Sequence, residues 1–250
     1  MHGGRAEVAQ RLTNLVNCAG VRVDPDFPWM PTGLPIQKAD GSWDVTPAKE
    51  AILDLPNPLL SPDESQLLRN WWLRHAKGRG NTPNWDIAST CLVDEQKGLL
   101  LIEAKAHGNE LEAGGKKLDV EASDKSCENH KQIGQVIADA AASLQRDTKF
   151  CCAISRDQRY QMSNRFAMAS KLTEMGYAVV LVYLGFLNAD EMSDQGKLFH
   201  SAASWEGTVE KHSDILFPKE VWGGRWVVNG RPFPPVIRSQ GWPFCTDSIT

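Results

Sequence analysis

Ten residues constrain this chain more than any others: GLLLIEAKAH, at 98–107. In an extended backbone successive side chains alternate faces, so Leu99, Leu101, Glu103 and Lys105 share one face and Leu100, Ile102, Ala104 and Ala106 the other. Apolar residues on both faces specify a central strand covered by helices on each side. Glu103 and Lys105 then need an explanation, because an ion in such a place costs several kcal/mol unless it is paired or bound to a metal. The simplest one is a Glu–Lys pair emerging at the solvent end of the strand. A second is a site.

The neighbouring pattern supplies the rest of the architecture. A strand-like run at about 85–93 precedes the central one, and DEQKG (94–98) reads as a hairpin connection. Helical spacing marks 5–19, and SPDESQLLRNWWLRH (61–75) opens with Ser61 as N-cap, Pro62 in the first turn and Glu64 three residues after the cap. Leu67, Leu68, Trp71, Trp72 and His75 form the apolar stripe of that helix, with Glu64 in line. Residues 107–125 are rich in Gly, Lys and Glu and read as a mobile loop. A helix near 126–146 presents Ile133, Val136, Ile137, Ala140 and Leu144 on one face. KFCCAIS (149–155) reads as a strand, 161–177 as a helix, and AVVLVYLGFL (178–187) as a buried strand. Helices alternating with strands predict an α/β fold with a central mixed sheet flanked by helices. Residues 1–60 read as a helix and Pro-rich arm, 61–190 as the core, and 191–250 as a Trp- and Pro-rich extension packed on that core as part of one domain.

Several classes find no support. No segment reaches the roughly 18 apolar residues of a membrane span, and the N-terminus lacks a secretory layout, which together predict a cytoplasmic protein. The six cysteines have no disulfide-framework spacing; they read as core thiols, and no CxxC supports a zinc site from Cys127, His130 and the Cys151–Cys152 pair. The net charge of −4 argues against coating nucleic acid by bulk charge, though not against a local basic groove. GxSxG, HExxH, GxxxxGK[ST] and helix-opening GxGxxG motifs are missing. The nine tryptophans, with Trp205, Trp222, Trp226 and Trp242 late in the chain, read as packing residues, with stacking on bases as the alternative.

Asp86 changes the weight of the charged strand end. A hairpin returns it to Glu103 and Lys105, so two carboxylates and a lysine meet at one end of the sheet. Carboxylate oxygens suit Mg²⁺ or Mn²⁺, and a lysine beside them can orient or deprotonate a water and balance phosphate charge. Asp86 followed by Glu103-Ala104-Lys105 at the end of an apolar strand, in this order of elements, resembles the PD-(D/E)xK nuclease superfamily over about residues 61–187. Trp85 stands where the motif has its proline.

The resemblance implies a restriction-endonuclease-like core that hydrolyses DNA phosphodiesters with Mg²⁺ or Mn²⁺. Asp86, Glu103 and the Ala104 carbonyl would be ligands, and Lys105 would act on the attacking water. Glu64 would be a further acidic ligand, or simply a capping-box residue. Asn129 or Gln132 would lend a polar group from the following helix, or be ordinary helix-start residues. His75, Lys77 and Arg79 would hold phosphates, with Lys116 and Lys117 lining the other side. DNA is the expected partner, and a homodimer stays open. A non-cleaving nucleic-acid-binding or protein-interaction module on the same fold is the alternative.

Register decides whether the site exists at all. Pairing Val93 with Leu99 sends Asp86 to the face opposite Glu103. Pairing Val93 with Gly98, or a bulge near 86–89, puts Asp86, Glu103 and Lys105 on one face, and this is the expected arrangement. Removing either carboxylate should then relieve repulsion between them.

Overall fold

The computed structural model describes residues 4–31, 50–76 and 82–241, and the backbone alone of 36–37 and 43–44. In chain order the elements are α1 (Arg5–Val16), β1 (Val21–Arg22), β2 (Trp29–Met30), β3 (Ile36–Gln37), β4 (Trp43–Asp44), α2 (Pro62–Trp72), β5 (Ile87–Val93), β6 (Gln96–Lys105), α3 (Asp124–Thr148), α4 (Tyr160–Glu174), β7 (Ala178–Leu187), α5 (Ala202–Ser213), β8 (Trp226–Val228), β9 (Arg231–Phe233) and β10 (Pro235–Gly241). The central sheet runs β1-β5-β6-β7-β10, with β2 also on β5. β6 is interior, antiparallel to β5 and parallel to β7, and β10 runs parallel to β7. The molecule is therefore α/β with a mixed central sheet between helices.

The two faces of β6 feed two separate cores. Leu99 and Leu101 pack with α2, α3 and α4, including Leu68, Ile133, Ile137, Phe166 and Leu172. Leu100 and Ile102 pack with Val8, Leu12 and Val16 of α1. All four β6 residues have no exposed surface. Ile102→Ala should therefore cost about 2–5 kcal/mol, since it leaves a cavity between two rigid layers; a melting temperature equal to the parent's would contradict this packing.

The hairpin is tighter than DEQKG suggests. Val93 pairs with Gln96, so the loop is only Asp94 and Glu95, both at positive φ (48° and 61°). Such a turn normally wants Asn or Gly. Here contacts from elsewhere hold it: Arg225 pairs with Asp94 (2.5 Å), the Asp94 N–H donates to the Gly20 carbonyl (2.9 Å), and Arg22 reaches Glu95 (3.4 Å).

Three other expectations are corrected. Residues 149–155 form no strand; the Ala153 N–H donates to the Leu216 carbonyl (2.6 Å) and the Ser155 N–H to the Ser163 hydroxyl (3.0 Å). The place beside β7 is instead taken by β10, from the C-terminal extension. On α2 the buried residues are Ser65, Leu68 and Trp72, while Leu67 is exposed and His75 lies beyond the helix. The stretch 107–125 is irregular but anchored: Lys116 N–H donates to the Arg156 carbonyl (2.8 Å), and Tyr160 N–H to that of Gly114 (3.0 Å). Among the described residues Cys18, Cys91, Cys127, Cys151 and Cys152 are free, no group of three or more His, Cys, Asp or Glu is placed to hold a metal, and no helix is long and apolar enough to cross a membrane.

Candidate functional site

The charged residues of the central strand converge at its C-terminal end. The ladder ends with Ile87 opposite Ile102, and Ala88 faces Leu101 on the same side of the sheet as Leu99. The Asp86 N–H donates to the Ile102 carbonyl (3.1 Å), so Asp86 and Ile87 both address one residue, a two-against-one step like a bulge. The Asp86 carboxylate turns back over β6, its Oδ2 accepting from the Ala104 N–H at 2.6 Å. Asp86 is thus brought to the end of β6 by a bulge-like step, after a two-residue turn in place of the four-residue loop expected.

Glu103 is nearly inaccessible, at 2% exposure, and both its oxygens are engaged. Lys105 Nζ donates to Oε1 at 2.5 Å, and Arg165 Nε donates to Oε2 at 2.7 Å. Arg165 is itself held on two further sides: its Nη1 donates to Asn164 Oδ1 (2.8 Å), and its guanidinium lies 4.9 Å from the centre of the Trp85 ring. Burial pushes the Glu103 carboxyl up, but Arg165 and then Lys105 outweigh it and hold the group below its ordinary value.

Arg165 is the component missing from the sequence reading. A signal was there: Met162, Arg165, Ala169 and Leu172 fall on one helical stripe, so a core-facing guanidinium demanded a buried partner. Tyr183, opposite Glu103 on β7, is also buried, and no group accepts or donates at its hydroxyl among the described residues. Burial and the adjacent Glu103 charge raise it well above the usual phenol range. Beyond it, Gly185 faces Lys105, and Trp205 of α5 occupies the space a β-carbon would take, with ring atoms 2.5 Å from that position.

Asp86 behaves oppositely to Glu103. Burial, and then the Glu103 charge, raise its carboxyl above the ordinary value despite the Ala104 N–H, Lys105 and Arg165. The folded protein thus holds this proton more tightly than the unfolded chain, and the group's contribution to stability falls as pH rises through its folded pKa. Asp86→Asn should remove that loss: the variant should melt higher than the parent at neutral pH, and the gap should narrow in acid. A gap independent of pH would contradict this reading of Asp86.

The other expected site residues go elsewhere. Glu64 completes the capping box, its Oε2 accepting from the Ser61 N–H (2.8 Å), and its Oε1 accepts from the Tyr177 hydroxyl (2.8 Å). Tyr177 precedes Ala178, which pairs with Gly98, whereas Glu103 pairs with Tyr183. At about 3.3 Å per residue those two places lie well over 15 Å apart along the strand. Glu64 is therefore removed from the ligand set. Asn129 and Gln132 serve the end of α2: Asn129 Oδ1 accepts from the His75 N–H (2.7 Å), and Gln132 Nε2 donates to the Trp71 carbonyl (3.0 Å). Backbone groups just past a helix end need such partners, so both residues are corrected from the site to helix anchoring.

Three basic candidates line an open cleft of about 1310 Å³ between the end of α2, residues 116–126 and the start of α3: His75, Lys116 and Lys117, joined by Arg69, Arg74 and Lys125. The His75 ring is tied to Glu128 (2.5 Å), and Arg69 pairs with Asp54 (2.5 Å). Lys116 Nζ lies 5.1 Å from the centre of the Tyr160 ring, and burial lowers its pKa. Tyr160 opens α4 five residues before Arg165, roughly 7.5 Å along the helix axis. Lys116, which lines the cleft, thus rests against the first residue of the helix that carries Arg165. Lys77 and Arg79 lie outside the described residues.

The donor set suits a hard divalent cation in chemistry: two carboxylates at one strand end, the charge of Glu103 adding to burial in raising the Asp86 carboxyl, and backbone carbonyls beside them. It is no ready-made cage, because Glu103 already has two cationic partners. Compared with family models, curated proteins and solved structures, the chain matches none.

Proposed function

We propose that the protein is a divalent-metal-dependent nuclease that hydrolyses DNA phosphodiester bonds at this cluster. One observation carries the reading: the Asp86 carboxylate, on the Ala104 N–H, and the buried Glu103–Lys105 pair lie together at the C-terminal end of an interior strand that runs parallel to its neighbour. Carboxyl ends of strands are where open α/β sheets bind ligands. Asp86 and Glu103, with the Ala104 carbonyl, would hold Mg²⁺ or Mn²⁺. The ion would supply Lewis-acid polarisation of the phosphoryl group and a more acidic water. Lys105 orients that water and offsets phosphate charge, while the cationic side chains of the cleft hold flanking phosphates. The Ala104 N–H fixes the angle of the Asp86 carboxylate.

A second reading has its own support. With both Glu103 oxygens taken by Lys105 and Arg165, the cluster would serve as a buried ionic lock in a non-cleaving binding module. A screen of labelled duplex, single-stranded and branched DNA with Mg²⁺ and Mn²⁺ tests both. The nuclease reading expects metal-dependent cleavage that chelator abolishes and Asp86→Ala lacks. No cleavage together with no saturable Mn²⁺ binding would leave the lock.

A further inference from the structure

Resting on that proposed function, the geometry points to Arg165 as an internal counter-ion that couples cation binding to phosphate binding, so that each becomes strong only with the other present. The four ionic groups of the cluster, Asp86 and Glu103 against Lys105 and Arg165, sum to zero. The next ionic group outward, Glu110, is turned to the Ala106 and His107 N–H groups (2.5 and 3.0 Å). A divalent ion entering alone meets a carboxylate with no oxygen to spare and leaves two buried cations facing it. A polyanion entering alone finds Lys105 and Arg165 already satisfied by Glu103.

Lys105 ends a strand on a long flexible stem and can give way. Arg165 cannot do so cheaply, being fixed by Glu103, Asn164 and the Trp85 ring at once. When both ligands arrive, partners exchange: the cation takes the Glu103 carboxylate, and a phosphate takes the guanidinium, whose planar fork matches phosphate oxygens as well as it matches carboxylate. Neither charge is left buried and alone. The consequence is a site that stays closed to metal until nucleic acid is present.

The test is Mn²⁺ titration followed by electron paramagnetic resonance, with and without a short phosphorothioate duplex that resists hydrolysis. Asp86→Ala protein with the same duplex supplies the background. The expected result is Mn²⁺ binding tightened about tenfold or more by the duplex, with duplex affinity raised by the same factor by Mn²⁺, as linkage requires. Arg165→Met should bind Mn²⁺ more tightly than the parent without duplex and lose most of the coupling, whereas Arg165→Lys, which keeps the charge but not the planar fork, should retain only part of it. If Arg165→Met fails to fold, the two parent titrations and Arg165→Lys still decide the matter. Equal Mn²⁺ affinity with and without duplex overturns the coupling and leaves the metal site standing. No Mn²⁺ in either arm, or undiminished binding in Asp86→Ala, overturns both.

Discussion

Replacing Glu103 by alanine should cost about 3–5 kcal/mol of folding stability, the scale for breaking a buried ion pair from one side. For a chain of this size that is on the order of 10 °C in melting temperature. The variant would leave Lys105 and Arg165, both less than a tenth exposed, facing each other without the carboxylate that now takes a hydrogen bond from each. Glu103→Gln, which keeps one acceptor but no charge, should fall between. Viewed as a bare pair of carboxylates, removing either member ought to relieve repulsion and stabilise the empty protein. Arg165 reverses that expectation for Glu103 and leaves it in force for Asp86. Thermal unfolding of the two alanine variants side by side therefore discriminates: Asp86→Ala at or above the parent, Glu103→Ala far below. Equal shifts in the same direction would mean that the cluster is not organised around Glu103.

The second large effect concerns turnover under the proposed function. Lys105→Ala should lower DNA cleavage by about 10²–10⁴-fold, the range for losing a group that handles a proton in the transition state. It should keep the fold and most Mn²⁺ binding, because Arg165 still neutralises Glu103 and the lysine holds no metal. Asp86→Ala should lose both cleavage and Mn²⁺. Single-turnover cleavage together with a Mn²⁺ titration separates the two patterns. Unchanged turnover in Lys105→Ala would take the lysine out of the mechanism.

What could be read from the sequence was what local periodicity encodes. The five buried residues of α3 are the five its apolar stripe nominates, and β7 spans the run AVVLVYLGFL. The face shared by Glu103 and Lys105 followed from alternation alone. Three features depended on partners far along the chain and were not legible. The Asp94–Glu95 turn lacks the glycine that would advertise it and is held by Arg225, Arg22 and Gly20. Residues 149–155 have strand composition but lose their place to β10, which comes some eighty residues later. Arg165 meets Glu103 across 62 residues; only its position on an otherwise apolar stripe marked it. Of the two readings open for Glu64 the capping box holds, while Asn129 and Gln132 serve backbone groups at the end of α2, 54 and 61 residues away, which neither of their readings anticipated.

The roof over Lys105 has a consequence for how the chain emerges from the ribosome. Trp205, which fills the space above Gly185 beside Lys105, and β10, which covers the open edge of β7, are both made long after the hairpin that carries the charges. At about 5–20 residues per second, the 62 residues between Glu103 and Arg165 take roughly 3–12 s. Until Arg165 is made, Lys105 is the only one of its two folded-state counter-ions that Glu103 can meet. Its second counter-ion is delivered with α4 before Trp205 and β10 exist to shut out solvent. The order of synthesis therefore makes both counter-ions of the carboxylate available before the segments that complete its cover.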